Sequence, residues 1–153
     1  MSLLLAAILT AMVGKSSLDP ASNQDLSDLD GNLLAEAVAD LEEADLSSTR
    51  LTPKQVEAIF AALDTTNKLK RLDITMNDLS PVDPEVMARV INKLEMVSML
   101  FARLTEQQIT RILEQSLVST SLKRLELHGM DEVDSELYNK AEQVIPNLYI
   151  DEF

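Results

Sequence analysis

The chain repeats itself at an offset of 53 residues. Residues 51–59, LTPKQVEAI, return as LTEQQITRI at 104–112, and residues 69–74, LKRLDI, return as LKRLEL at 122–127. Self-similarity at a fixed period is typical of architectures in which each unit buries its apolar face only against its neighbours. Weaker matches of residues 7–9 with 58–60, and of Leu18 with Leu69, extend the pattern towards the N-terminus. The sequence therefore predicts a repeat array.

Each unit combines a strand pattern with a helix pattern. Segments of the form Leu-x-x-Leu-x-Leu have the period of two residues expected of a strand. They begin at Leu41, Leu69, Leu94 and Leu122, with a last strand segment at residues 145–150. Helices are predicted between them, because apolar residues recur there with helical spacing, as at Val56, Ile59, Phe60 and Leu63.

The helix starts carry their own signals. Thr52 is predicted to be an N-cap, with Gln55 completing a capping box, and Thr105 with Gln108 repeats the arrangement. Aspartates provide the same cap in the alternate units, at Asp30, Asp83 and Asp134. These caps predict where five helices begin.

At this point the residues resemble a known family. Units of 28, 25 and 28 residues between Leu41 and Leu122 resemble leucine-rich repeats of the ribonuclease-inhibitor class, which also form the C-terminal part of intracellular nucleotide-binding, leucine-rich-repeat receptors. The family pattern Leu-x-x-Leu-x-Leu-x-x-Asn-x-Leu is best preserved from Leu69 to Leu79, with Asn77 at the asparagine position. The resemblance implies an α/β solenoid with a short parallel sheet on the concave side and helices on the convex side.

The chain also departs from the family pattern. The asparagine position holds Thr49, Ala102 and Met130 in the other units, so we expect less regular turns near Ala102 and Met130. Residues 1–153 are interpreted as one leucine-rich-repeat domain, a fragment of a longer array. Within it, residues 1–40 would be irregular or capping repeats and residues 41–153 regular repeats.

Composition excludes several classes of partner. The net charge is −13, and an acidic chain without a basic stripe is a poor ligand for nucleic acid or for an acidic membrane surface. The chain has no cysteine and no Asn-x-Ser/Thr sequon, which favours a reducing, cytoplasmic location. We expect a protein partner, with no nucleic acid, membrane or small-molecule substrate.

No motif supports catalysis or a cofactor. Residues 13–16, VGKS, resemble the end of a phosphate-binding loop, but Leu9 stands where its first glycine should be. Asp28 and Asp30 resemble part of a calcium loop that lacks two ligands, and a helix cap explains Asp30. His128 is the only histidine and is interpreted as a surface residue. The chain is therefore predicted to be no enzyme and to hold neither metal nor cofactor.

The candidate contact surface is the solvent side of the predicted sheet. Its rows are mostly polar, but apolar side chains stand at Met96, Leu100 and Phe101, with Met76 in the neighbouring unit. Such a cluster predicts a binding hot spot with a charged rim. The rim residues are Arg71, Arg124, Asp73 and Glu126. An alternative has Phe101 turning inward at an irregular turn.

Three functions remain open from the sequence. The main one is protein–protein recognition through the concave face, by resemblance as part of an innate-immune receptor or scaffold. Similar repeats also serve as regulatory partners of small GTPases or as actin-associated proteins. The third is a purely structural segment that stacks on further repeats.

Overall fold

The architecture is a parallel sheet covered on one side by helices. The structure, a computed structural model, describes residues 17–18, 25–128 and 133–151 of the chain. The described strands are β1 (Ser17–Leu18), β2 (Glu43–Asp45), β3 (Arg71–Asp73), β4 (Met96–Met99), β5 (Arg124–His128) and β6 (Asn147–Asp151). The described helices are α1 (Gly31–Ala39), α2 (Pro53–Asp64), α3 (Pro84–Lys93), α4 (Glu106–Val118) and α5 (Ser135–Val144). The predicted α/β leucine-rich-repeat solenoid is confirmed.

The strands lie side by side in chain order and all pairs are parallel. Glu43, Arg71, Met96 and Arg124 stand opposite one another, and so do Asp45, Asp73, Ser98 and Glu126. Each row contains residues that the 53-residue repeat aligns, such as Glu43 with Met96 and Arg71 with Arg124. The alternate residues, Ala44, Leu72, Val97 and Leu125, are buried under the helices. We call the opposite, solvent side of the sheet the open sheet face.

The register of β1 shows that the match of Leu18 with Leu69 is wrong. Leu18 pairs with Ala44, which itself pairs with Leu72, so Leu18 is not equivalent to Leu69. A single leucine cannot fix a strand register, because leucines recur every two or three positions in this pattern. The matches at residues 7–9, the VGKS segment and the position of Met130 lie outside the described residues.

The predicted helix caps are confirmed. The Thr52 and Thr105 side chains accept hydrogen bonds from the backbone nitrogens of Gln55 and Gln108, and both capping boxes are closed. Asp30, Asp83 and Asp134 cap α1, α3 and α5 in the same way. Asp30 is thereby accounted for without a cation.

Both capping glutamines also connect their helix to the preceding unit. The buried Gln55 amide donates to the carbonyls of Leu26 and Leu29, at 2.7 and 2.9 Å. Gln108 donates equivalently to Leu79 and Val82, at 2.9 and 2.8 Å. Sequence analysis identified these residues as caps but missed this second role. One side chain therefore caps the start of a helix and also joins two units.

The turns after the strands are of two kinds. At Asn77 the side chain bridges two units: its amide donates to the Leu46 carbonyl at 2.8 Å, and its oxygen accepts from the Leu51 nitrogen at 3.0 Å. At Ala102 the backbone carbonyl itself accepts from the Leu79 nitrogen at 2.9 Å. The Thr49 carbonyl does the same for Leu26, also at 2.9 Å.

The turn at Ala102 departs from the turn at Asn77 and repeats the turn at Thr49. Phe101 and Arg103 on either side of it have φ of 50° and 52°, and Ser48 and Arg50 around Thr49 both have φ of 55°. The turns at Thr49 and Ala102 thus share a second left-handed residue that the turn at Asn77 lacks. In both of them a backbone carbonyl accepts from the leucine amide that the asparagine side chain satisfies elsewhere. Ala102 is buried and fills the space under the turn.

Candidate interaction surface

The open sheet face carries a charged groove across β2 to β5. Its cavity of about 250 Å³ is lined by the two rows of facing side chains described above, including Met96. Arg71 lies 3.5 Å from Glu43, and Arg124 lies 2.6 Å from Glu126. All four predicted rim residues, Arg71, Asp73, Arg124 and Glu126, line this groove.

A second feature lies where the strands end. Phe101 is 54% exposed and Met76 is 59% exposed, so Phe101 does not turn into the core. Both have a left-handed backbone, with φ of 50° and 60°. The equivalent Ser48 donates from its hydroxyl to the Met76 sulfur at 3.4 Å. The left-handed region costs a side chain with a Cβ about 1–2 kcal/mol, so a large apolar residue there is unusual.

His128 completes this second feature. It is the last residue of β5, is half-buried, and its ring centroid lies 4.0 Å from that of Phe101. Leu100, also half-buried, precedes Phe101, and its carbonyl accepts from the Met76 nitrogen at 2.9 Å. We call Met76, Leu100, Phe101 and His128 the apolar platform. Sequence analysis interpreted His128 as a surface residue and did not predict its contact with Phe101.

The structure divides the predicted hot spot into two parts. Met96 lies in the groove, between Arg71 and Arg124 in its row. Leu100 is four residues further along the chain, which corresponds to about 13 Å at strand spacing. The platform brings together Met76, Leu100 and Phe101, whereas Met96 belongs with the charged residues.

The chain is similar in structure to a tropomodulin C-terminal domain from Caenorhabditis elegans. The TM-score is 0.66 at 13% sequence identity, and the likeness covers 93% of this chain and 91% of that one. No family model matches the chain, and neither does any curated protein. At this identity the likeness supports the fold, a leucine-rich-repeat-like α/β array, and leaves the function open.

The helix side offers a second comparison, between equivalent helix pairs. At the α2–α3 junction, Asp64 accepts two hydrogen bonds from the Arg89 guanidinium, at 3.0 and 2.9 Å. The Lys93 ammonium donates to the backbone carbonyls of Leu63 and Thr66 at the end of α2. The junction is therefore closed by polar contacts from one helix to the other.

The α4–α5 junction lacks these contacts. Alignment of the helix caps makes Leu117 and Val118 the equivalents of Asp64 and Thr65, and it makes Lys140 and Val144 the equivalents of Arg89 and Lys93. Lys140 lies 3.3 Å from Glu136 of its own helix. A cleft of about 610 Å³ opens between the two helices, lined in part by Leu117 and Val118. The difference is visible in the sequence, because the 53-residue repeat aligns the polar residues 64–65 with the apolar residues 117–118.

Three charged groups on neighbouring helices have a shifted pKa. The hydrogen bonds from Arg89 lower the pKa of Asp64, and those from Arg111 lower the pKa of Glu85. Burial lowers the pKa of Lys93. Both carboxylates pair with an arginine of the neighbouring helix.

Two absences hold for the described ranges. Among residues 17–18, 25–128 and 133–151, no group of three or more histidine or acidic side chains is arranged to hold a metal ion. Within that part of the chain, no helix is long and apolar enough to cross a bilayer.

Proposed function

We propose that the chain is a protein–protein interaction module without catalytic activity, which binds a partner protein through the open sheet face. The observation that carries the proposal is the apolar platform. Phe101 and Met76 are large, apolar and more than half exposed, at backbone positions that disfavour side chains with a Cβ. Core packing does not account for either residue. A partner that buries both would gain the aromatic and methionine contacts that are enriched at interfaces.

The charged groove gives this surface its rim. Arg71, Asp73, Arg124 and Glu126 lie on the same face as the platform, and Arg124 also stacks over the Tyr149 ring at 5.2 Å. Charged residues around an apolar centre direct encounter and exclude wrong partners more than they add affinity. The platform is therefore assigned the binding energy, and the groove the specificity.

The experiment exchanges the platform for the residue that the chain uses at the equivalent turn. Met76→Ser with Phe101→Ser copies Ser48, whose φ of 55° is nearly the same, so the fold should tolerate both changes. Partners captured from cell lysate by the wild type should be lost with this double variant, while circular dichroism and melting stay unchanged. Equal capture by both proteins would refute the proposal.

Leu100→Glu provides a second variant. The side chain is half-buried beside Phe101, so a carboxylate there should also abolish capture. Loss of folding in this variant alone would assign Leu100 to the core and leave the result with Met76 and Phe101 standing.

An actin-associated role is the second candidate. The similarity to a tropomodulin C-terminal domain favours it over regulation of a small GTPase. Co-sedimentation of the chain with filamentous actin, compared between the wild type and the platform double variant, tests this candidate directly. The finer assignment to the ribonuclease-inhibitor class, with a cytoplasmic innate-immune role, rests on the sequence pattern and stays a prediction.

A further inference from the structure

Met76 is the most exposed methionine in the part of the chain that the structure describes. Its side chain is 59% exposed, whereas Met96 is half-buried in the groove and Met87 and Met99 are buried in the core. Mild oxidants convert the apolar thioether of methionine into a polar sulfoxide. Since an oxidant must reach the sulfur to react with it, Met76 is the first of these four residues that it should modify.

The neighbouring turn gives the Met76 sulfur a hydrogen-bond donor. The Ser48 hydroxyl donates to this sulfur at 3.4 Å. A thioether sulfur is a weak acceptor, whereas the oxygen of a sulfoxide is a strong one, so the same hydroxyl would bind the oxidised side chain better than the reduced one. The turn can therefore hold the oxidised residue at the surface without a change of fold. Oxidation of Met87 would instead place a polar group in the core.

We propose that Met76 is a site of reversible oxidation by hydroperoxides, and that its oxidation weakens binding at the apolar platform. The sulfur takes one oxygen atom from a hydroperoxide such as hydrogen peroxide, the O–O bond breaks, and water leaves. The sulfur loses two electrons, which reduce the peroxide. Methionine sulfoxide reductases reverse the change. The effect on binding rests on the proposed function, but the site of oxidation does not.

The weakening follows from desolvation of the new oxygen. A partner that covers Met76 and Phe101 would take the sulfoxide oxygen out of water. The Ser48 hydroxyl supplies one donor, but a second lone pair, which water satisfies in the free chain, would be left without one. A partner surface that matches an apolar thioether offers no donor there. Binding should therefore weaken at least about tenfold.

The first experiment locates the oxidation without any partner. The folded wild type is treated with dilute hydrogen peroxide, quenched at intervals and digested with trypsin. Met76 and Met87 fall in one tryptic peptide, residues 72–89, so fragment spectra compare the exposed and the buried sulfur directly. Met76 should be oxidised at least about tenfold faster than Met87, which peroxide reaches only when the fold opens. It should also be oxidised faster than Met96, while circular dichroism stays unchanged.

The second experiment measures binding, with each protein compared with its own untreated form. Capture of partners from desalted cell lysate by the wild type should fall at least about tenfold after peroxide treatment. It should return after incubation with both methionine sulfoxide reductases, one for each sulfoxide epimer. Met76→Leu keeps an apolar side chain of similar volume but has no sulfur, so its capture should not change in peroxide. The matched control Met96→Leu should stay as sensitive as the wild type.

The outcomes separate this proposal from the proposed function. Oxidation of Met76 no faster than that of Met87 would overturn the site itself, whether or not a partner is captured. Undiminished capture by protein oxidised at Met76 would overturn the effect on binding and leave the proposed function standing. Loss of capture by Met76→Leu in peroxide would place the responsible oxidation elsewhere. A wild type that captures nothing before treatment would refute the proposed function, and the fragment spectra would still decide the site.

Discussion

The turns at Asn77 and Ala102 fold the chain along similar paths with different chemistry. In both, a leucine nitrogen of the preceding unit needs an acceptor. Asn77 supplies a side-chain oxygen to Leu51, whereas Ala102 supplies its backbone carbonyl to Leu79. The second solution needs a left-handed residue on each side, at Phe101 and Arg103, but Asp78 after Asn77 is not left-handed. What the array requires is a paired leucine amide rather than an asparagine.

The large exposed side chains stand at a position that both kinds of turn share. A left-handed residue before the buried position, at Ser48, Met76 or Phe101, occurs in both kinds of turn. The fold is therefore indifferent to whether that residue is small or large. Since glycine or serine would suffice there, Met76 and Phe101 are free to serve binding.

The most severe test of the comparison is Asn77→Ala. It should lower the free energy of unfolding by about 2–3 kcal/mol, because the Leu51 nitrogen loses its buried acceptor, while the Leu46 carbonyl loses one donor and keeps the Thr49 hydroxyl. Denaturant unfolding measures the effect. The reciprocal change, Ala102→Asn, should lose about 1–3 kcal/mol, since a buried amide would enter a turn whose leucine nitrogen is already paired. A gain in stability there would refute the division into two turn types.

A smaller effect is expected at Arg103. Arg103→Gly should raise the free energy of unfolding by about 0.5–1 kcal/mol, because glycine adopts a positive φ without strain. The exposed pair with Asp78, at 4.0 Å, contributes little against this. The matched change Asp78→Gly should lower stability, since that residue is not left-handed and its carboxylate accepts two hydrogen bonds from Ser80. Stabilisation by both glycines would mean that the turns do not differ in backbone.

The smallest effect extends the comparison to the helix junctions. Hydrogen bonds from Arg89 lower the pKa of Asp64 below its ordinary value of 3.8, so Asp64 stabilises the fold above that pH and less as the pH falls below it. Near neutral pH, the free energy of unfolding of the wild type should exceed that of Asp64→Asn by less than about 1 kcal/mol. The difference should shrink in acid. Leu117→Asn, at the equivalent position, should show no such acid dependence. If the difference between the wild type and Asp64→Asn stays constant with pH, the Asp64 carboxylate does not stabilise the α2–α3 junction.

Much of the fold can be predicted from the sequence, because the chain contains two copies of the repeat and each copy gives the same prediction. Thr52 and Thr105, or Leu72 and Leu125, give the same cap or the same buried position in two copies, so each inference is checked within the chain. Strand register follows from the same alignment. Leu18 shows the limit of this approach, because a single leucine outside the strong copies was assigned to the wrong position.

The candidate site was predicted only in part. The rows of the open sheet face depend on strand alternation, which the sequence states clearly. The separation of Met96 from Phe101 depends on how far the chain advances along a strand. The sequence prediction grouped both residues in one cluster and did not take this distance into account. The contact of Phe101 with His128 depends on a left-handed backbone, for which the usual sequence signal, glycine, is absent at Phe101.

The two capping glutamines have a consequence for how the molecule opens. Gln55 donates to the carbonyls of Leu26 and Leu29, so melting the first turn of α2 would remove a buried donor from both and would leave the Leu29 carbonyl without this partner. Gln108 links α4 to Leu79 and Val82 in the same manner. Fraying should therefore proceed through coupled neighbours, and backbone amides on the two sides of each glutamine should exchange with deuterium at matching rates.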